Sequence, residues 1–378
     1  MFTLVRASRI YIHIPFCRKA CIYCNFHFTT QVTLISAFTE ALITEIHQRK
    51  AELETSYTSI YFGGGTPSVL HTEHLHQIIS AIHNYSKAQQ NTEITLEINP
   101  EDVCEDRLKA WLQLGINRFS LGVQSLNASE LHWMGRTHEI SKIHEVLALF
   151  KTYNISNYNI DMIFGSGKIA LQHWKTALEQ WVAIKAPHIA AYQLTVEPKT
   201  VLHKVQRRGH FQLQTDDALA AYFTTTHEIL TQHGYQHYEI SNYALPGFEA
   251  QHNSAYWNAE PYIGLGPSAH SFDGLNRRIN ASGVKAYIEH AKKKTLQFKL
   301  ESLSINERFN EYILTQLRKQ KGIAWDSLQQ SFEPPIYRHV PKILEKWNQC
   351  ITITNTGFHL NLKGMLMADA ICSDLFIV

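Results

Sequence analysis

The sequence predicts an α/β fold: an open, partial barrel of six strand–helix units, (β/α)6, followed by a small C-terminal α+β domain similar to a winged helix. Three observations lead there. Apolar or β-branched runs recur as candidate strands, each followed by a segment with helical spacing. The residues able to do chemistry fall at the carboxyl ends of those strands, where parallel sheets carry their ligand sites. The pattern then changes character from about Leu303.

The expected strands are Ile10 to Ile14, Ser59 to Phe62, Ile94 to Ile98, Arg118 to Gly122, Asn159 to Phe164 and Ile189 to Leu194. The expected helices run from Phe38 to Lys50, Leu75 to Tyr85, Asp106 to Leu114, Lys142 to Tyr153, Leu171 to Ile184 and Leu219 to Gln232. Strand then helix, repeated six times, argues for a parallel sheet with right-handed crossovers. Six units are too few to close an eight-stranded barrel, so the barrel stays open. Tyr235 to Tyr243 reads as a further extended piece, and residues 1–243 make up the barrel.

Residues 244–300 read as an irregular extension, rich in glycine, aromatic residues and asparagine. A loop that long inside a compact fold is functional or disordered, and its aromatic content argues for function. In residues 301–378, Phe309, Ile313 and Leu317 repeat at helical steps, and Ile343, Leu344 and Trp347 mark a second helix. Ile351, Ile353, Leu360 and Leu362 alternate around Asn355, Thr356 and Gly357, a hairpin signal.

A chain of 378 residues supports a large core plus an appendage. Its formal net charge of +2, with lysine and arginine scattered, gives a nucleic-acid partner little electrostatic support. No signal peptide and no membrane-length apolar run is evident, which points to the cytoplasm. Cys104, Cys350 and Cys372 are dispersed, so the six cysteines do not form a disulfide framework, and a reducing compartment suits thiolate ligation.

Cys17, Cys21 and Cys24 follow directly after the first strand, with three and then two residues between them. Three thiolates from one loop are one short of saturating a tetrahedral zinc or a cubane iron–sulfur cluster, which leaves an open coordination position. His27 would complete a Cys3His zinc site, so the spacing leaves both metals open. The second strand runs into Gly63, Gly64 and Gly65, then Thr66 and Pro67, a backbone that a ligand can approach closely. Glu97 and Asn99 end the third strand, Gln124 follows the fourth, and Asp161 lies in the fifth. Either carboxylate alone reads as a strand-end cap; placed together at strand ends they read as a site.

Tyr11, His13 to Cys17, Cys21, Tyr23, Cys24 and the Gly-Gly-Gly-Thr-Pro run resemble the radical S-adenosylmethionine (SAM) proteins related to oxygen-independent coproporphyrinogen oxidase. Further matches are Glu97-Ile98-Asn99-Pro100, Leu121 to Ser125, Gly135 to His138, Asp161 with Gly165, His252 to Trp257, and Gly264 to His270. The resemblance implies a 4Fe-4S cluster on Cys17, Cys21 and Cys24, with the fourth iron left to chelate SAM. It implies SAM contacts from Tyr11, Tyr23, Gly64, Gly65, Thr66, Glu97, Gln124, Arg136 and Asp161.

Two departures separate this chain from the porphyrinogen-oxidising enzymes of the family: Phe26 stands where they carry a further cysteine, and the cluster loop begins almost at the N-terminus. Both favour the heme-chaperone branch over the alternative, oxidative decarboxylation of coproporphyrinogen III in porphyrin biosynthesis. That branch implies bound heme, transfer to acceptor hemoproteins that include membrane-associated respiratory enzymes, and room for a homodimer. Its heme candidates are His252, Asn253, Tyr256 and Trp257: an imidazole to ligate iron and rings to face a porphyrin. Among 22 histidines, a structural role for His252 is the plain alternative, and a zinc-stapled barrel is the non-redox one. The segment Gly165 to Ala170 lacks the family's Pro and Gly order.

Overall fold

The computed structural model describes residues 8–377. Its six parallel strands are β1 (Arg9–Ile14), β2 (Tyr57–Gly64), β3 (Ala88–Ile98), β4 (Arg118–Gln124), β5 (Tyr158–Phe164) and β6 (His188–Gln193), hydrogen-bonded side by side in chain order. The crossover helices cover one face. Ile10, Ile12 and Ile14 of β1 are at most 1% exposed, whereas Tyr11 and His13 between them point the other way, as a two-residue period requires. The sheet therefore has an apolar outer face under helices and an inner face free to be polar. Across that inner face, strand register aligns Glu97 with Ser120, Ser120 with Asn159, and Asn159 with His188.

The sheet continues beyond these six strands. A hairpin of β7 (Gln236–Glu239) and β8 (Asn242–Ala244) adds antiparallel to β6, and β9 (Ile263–Leu265) adds parallel to β1, giving the order β7-β8-β6-β5-β4-β3-β2-β1-β9. This corrects the reading of residues 244–300 as irregular. They hold the helix Gln251–Trp257, β9, β10 (His270–Phe272), β11 (Asn276–Asn280), the helix Val284–Lys292 and most of β12 (Phe298–Ser302). Strands β10, β11 and β12 form a separate three-stranded sheet. These strands span three to five residues each, too few for a hydrophobic period to show in the sequence. Packing holds them instead. A Cβ on Gly264 would stand 1.9 Å from the His270 carbonyl oxygen, so only glycine lets β9 approach the chain beside it.

Buried Arg49 ties this region to the first crossover helix, Ile35–Gln48. Its guanidinium donates to Glu45 and Glu52 and, at 2.6 Å, to the carbonyl of Gly264. Tyr287 and Asn280 both donate to Glu45, at 2.7 Å each. A buried carboxylate with this many donors has its hydrogen-bonding capacity met within the protein.

Residues beyond 301 form the helices Ile305–Leu317, Trp325–Ser331 and Val340–Lys346, a sheet in the order β13 (Ile323–Ala324), β15 (Gly357–Leu360), β14 (Ile351–Ile353), and two closing helices, Leu362–Leu366 and Ala368–Leu375. Leu362, expected in the hairpin, begins a helix instead, because the Asn361 side chain caps it by accepting from Gly364 N–H at 3.0 Å. The first helix is stitched to the barrel edge: Arg318 Nε donates to Glu239 at 2.7 Å, and Ile240 N–H to the Arg318 carbonyl at 3.1 Å.

Candidate functional site: three thiols at the rim of a polar cavity

The loop after β1 is closed at its base by Cys17 N–H donating to Thr29 O at 3.0 Å and Thr29 N–H to Pro15 O at 2.7 Å. Its middle is pinned by Ile22 N–H on Met134 O at 3.1 Å and by Leu202 N–H on Ile22 O at 2.8 Å. Cys17, Cys21 and Cys24 consequently line one cavity, of about 860 Å³, together with Tyr23, Gly64, Gly65 and Thr66. That volume lies toward the upper end of small-molecule sites.

An arc of hydrogen bonds joins two of the thiols across the strand ends. Thr66 Oγ1 donates to Cys17 Sγ at 3.5 Å, and Asn99 Nδ2 to Thr66 Oγ1 at 3.4 Å. Arg136 completes the arc, donating to Asn99 Oδ1 and to Gly122 O at 2.7 Å each, and to Cys21 Sγ at 3.8 Å. It can do so because Gly135 ends the helix Ala128–Met134 in the left-handed conformation, φ +83°, and turns the chain back. The sequence marked Thr66 and Arg136 for SAM and placed Asn99 at a strand end without assigning it a contact. Its short side chain, with one donor and one acceptor group, is what bridges them.

Deeper in the cavity, Glu97 accepts from Tyr61 Oη at 2.8 Å and from Gly64 N–H at 3.1 Å. Asp161 accepts from Ser120 Oγ and Asn159 Nδ2 at 2.7 Å each. Burial pushes Glu97 up to about 7, with the Asp161 charge adding to the rise, and burial likewise lifts Asp161 to about 6. Two carboxyl groups poised near neutrality in one cavity are a functional signature. Gln124 holds φ +67°, where β4 slips its register against β5. Such strain in a residue with a Cβ persists where a site requires it.

Not every expected residue lies on the cavity wall. Tyr11 sits behind it, its ring 6.1 Å from that of Tyr61 and its hydroxyl 3.1 Å from His13 Nδ1. His27, which would complete a zinc site, instead accepts Gly283 N–H at 3.3 Å and lies tilted beside the His13 ring, centroids 6.0 Å apart. Among the described residues, no three His, Cys, Asp or Glu side chains converge on a single ion. Thiolates on separate irons of one cluster need not converge in that way.

His252, expected to offer its imidazole to a heme, is engaged within the protein in this structure. Its Nδ1 pairs with Ser59 Oγ at 2.8 Å and its Nε2 with Tyr256 Oη at 2.9 Å, and the ring is 1% exposed. Both nitrogens are therefore occupied within the protein. Of that motif only Asn253 reaches the cavity; the Trp257 ring lies under Arg318 at 4.7 Å.

A partial parallel barrel with three thiols on its C-terminal rim has the architecture of a radical SAM protein, and residues 11–180 match the Radical SAM superfamily. The structure of Escherichia coli coproporphyrinogen III oxidase superposes with a TM-score of 0.84 over 99% of this chain and 91% of that one; at 20% identity the likeness is one of fold. The heme chaperone HemW of Lactococcus lactis is 33% identical over 367 residues, 94% of this chain and 96% of that protein. The HemW of Synechocystis is 34% identical over 336 residues, 86% and 81% of the two chains. The chain belongs to the HemW family.

The radical SAM class carries a 4Fe-4S cluster and SAM, and the donors here fit both groups. The Cys17 thiol is pushed up to about 11 and that of Cys24 is also raised, both chiefly by burial, so ionisation at neutral pH would call for the positive charge a bound metal supplies. Gly122 leaves a polar cradle: a Cβ there would stand 3.0 Å from Gln124 Nε2, 3.2 Å from Asn99 Oδ1 and 3.3 Å from Arg136 NH2.

Proposed function

We propose that this protein is a heme chaperone that binds heme as cargo and passes it to acceptor hemoproteins in the cytoplasm, respiratory enzymes at the membrane among them. In this reading Cys17, Cys21 and Cys24 hold the cluster. Gly64, Gly65, Thr66, Glu97, Gln124, Arg136 and Asp161 surround SAM, with Tyr23 beside the cluster and Tyr11 acting from behind Tyr61. When bound, the cluster supplies an open iron for the amino and carboxylate groups of SAM. Arg136 keeps the Cys21 sulfur and Asn99 in place, and Glu97 and Asp161 offer acceptors for ammonium or ribose hydroxyl groups.

The observation that carries the chaperone reading is kinship with HemW proteins over 94% of the chain, a span that must take in most of residues 301–378. Those residues matter to the site, since Met365, Leu366 and Met367 wall the same cavity as the cluster loop. Phe26 is 67% exposed, Met367 42% and Leu366 38%, and Lys19 stands on the same cavity wall. An apolar rim with a cation suits the flat face and propionates of a porphyrin, and a methionine thioether is a known type of heme-iron ligand. In this division of labour residues 1–243 hold cluster and SAM, and residues 301–378 form the outer wall.

The test is a paired assay on one anaerobically reconstituted preparation. Heme titration should give a saturable absorbance change, and mixing with an apo-hemoprotein should move the heme to it. Phe26→Ser with Met367→Ala should weaken heme uptake. Conversion of coproporphyrinogen III in the presence of SAM and a reductant, without heme handover, overturns the reading.

A further inference from the structure

The helix Gln251–Trp257 buries His252 and Ala255 and packs His252 against Ser59 and Tyr61 of β2. Its first amide groups, Gln251 N–H and His252 N–H, donate to the carboxylate of Glu93 at 3.1 and 3.0 Å. Glu93 lies on β3, four residues before Glu97 on the same strand. From that anchored position the His252 ring lies against the Tyr61 ring, with centroids 5.1 Å apart and planes 30° from parallel. Ser59 Oγ and Tyr256 Oη clamp the imidazole from its two nitrogens, so the ring has no freedom to turn.

Tyr61 in turn is fixed on its other side by the ring of Tyr11, 6.1 Å away and 26° from parallel. Its hydroxyl can reach one acceptor, Glu97 Oε1 at 2.8 Å. The space around that contact is full: a Cβ on Gly63 would meet Tyr61 at 2.7 Å, Glu97 at 2.9 Å and Tyr11 at 3.1 Å. Tyr61 and Glu97 both line the cavity, whereas His252 does not. A chain of rigid contacts thus runs from the buried His252 through one aromatic ring to a carboxylate on the cavity wall.

We infer that His252 is a positioning residue for the SAM end of the cavity, holding the Tyr61 ring so that its hydroxyl aims Glu97 at the ligand. This rests on reading the Glu97 end of the cavity as the SAM site. It assigns the conspicuous His-Asn-x-x-Tyr-Trp motif to cofactor binding, through a buried brace, and leaves heme to other groups. Burial also holds the imidazole neutral, its basicity lowered to about 3, which matches a ring that both donates and accepts one hydrogen bond.

The experiment uses the full chain with its cluster reconstituted. SAM affinity is measured by equilibrium dialysis, the change in the reduced cluster's EPR spectrum on adding SAM is recorded, and heme is titrated on the same preparations. His252→Ala should weaken SAM binding roughly tenfold, as loss of a buried, hydrogen-bonded brace implies, and should leave heme affinity unchanged. Tyr61→Phe, which keeps the ring and removes only the donor to Glu97, should weaken SAM binding to a similar extent. The double variant should be little worse than either single one, because both cut the same line of contacts. His252→Phe, which restores a ring against Tyr61, should recover most of the affinity and serves if the alanine variant does not fold. A His252 variant that loses heme while SAM affinity stays intact overturns the inference, and so does a double variant in which the two losses multiply. Failure of the unaltered protein to bind SAM overturns the SAM-site reading itself, and the inference with it.

Discussion

Glu97 gives the structure a measurable pH dependence. In the protein free of cluster and SAM, burial raises its carboxyl from 4.5 to about 7 and that of Asp161 from 3.8 to about 6. A carboxyl that binds its proton more tightly when folded stabilises the fold fully below its unfolded value, and that stability is lost as pH rises through the folded value. For Glu97 the window runs from pH 4.5 to about 7. At 1.36 kcal/mol per pH unit, the loss between pH 5 and pH 8 is roughly 2–3 kcal/mol for Glu97 and about 1 kcal/mol for Asp161. Buried histidines tilt the curve the other way: His13 and His237 are each lowered to about 4 by burial, so they favour the fold as pH rises. The informative quantity is therefore the difference between the unaltered protein and Glu97→Gln, in which the histidine contributions cancel. Glutamine keeps an acceptor for Tyr61 and Gly64 and cannot ionise. Urea unfolding at pH 5, 6.5 and 8 should show the variant gaining about 2 kcal/mol on the parent across that range. Parallel curves would refute the claim that an ionised Glu97 is held at a cost in the cofactor-free fold.

Other substitutions probe the rest of the site. Replacing Cys17, Cys21 and Cys24 together with alanine should abolish the brown absorbance that anaerobic reconstitution with iron and sulfide produces. Gly122→Ala should weaken SAM binding about tenfold or more, since its methyl group enters the cradle between Gln124, Asn99 and Arg136, while thermal unfolding shifts little. Gly264→Ala should act in the opposite way. With 1.9 Å between its Cβ and the His270 carbonyl, β9 must separate from the neighbouring chain at a cost of roughly 3 kcal/mol or more, seen as a lower urea midpoint.

The parts of this protein legible without coordinates are those in which neighbouring residues decide the outcome. Ile10, Ile12 and Ile14 alternate with Tyr11 and His13, so both the strand and its two faces follow from five residues. All six parallel strands overlap the expected runs, and their chain order in the sheet follows from the handedness of the crossovers. The three thiols belong to one loop, and their spacing alone places them together. By contrast β9 is three residues long and is a strand only because it pairs with β1.

Histidine 252 shows the other side of this division. Its motif, with an imidazole beside aromatic residues, has the composition of a heme site, and nothing in the sequence says which way the ring faces. Ser59 and Tyr61, nearly two hundred residues earlier, occupy its nitrogens and its face. The arc from Cys17 through Thr66, Asn99 and Arg136 to Cys21 likewise assembles four separate strand ends and loops. The sequence alone settled the strand–helix rhythm and the thiol loop, because backbone period and short-range spacing are local properties. Which carboxylates share a cavity, which histidine is locked away and which glycines leave room for a ligand depended on contacts between distant segments, and those exist only once the sheet has brought the segments side by side.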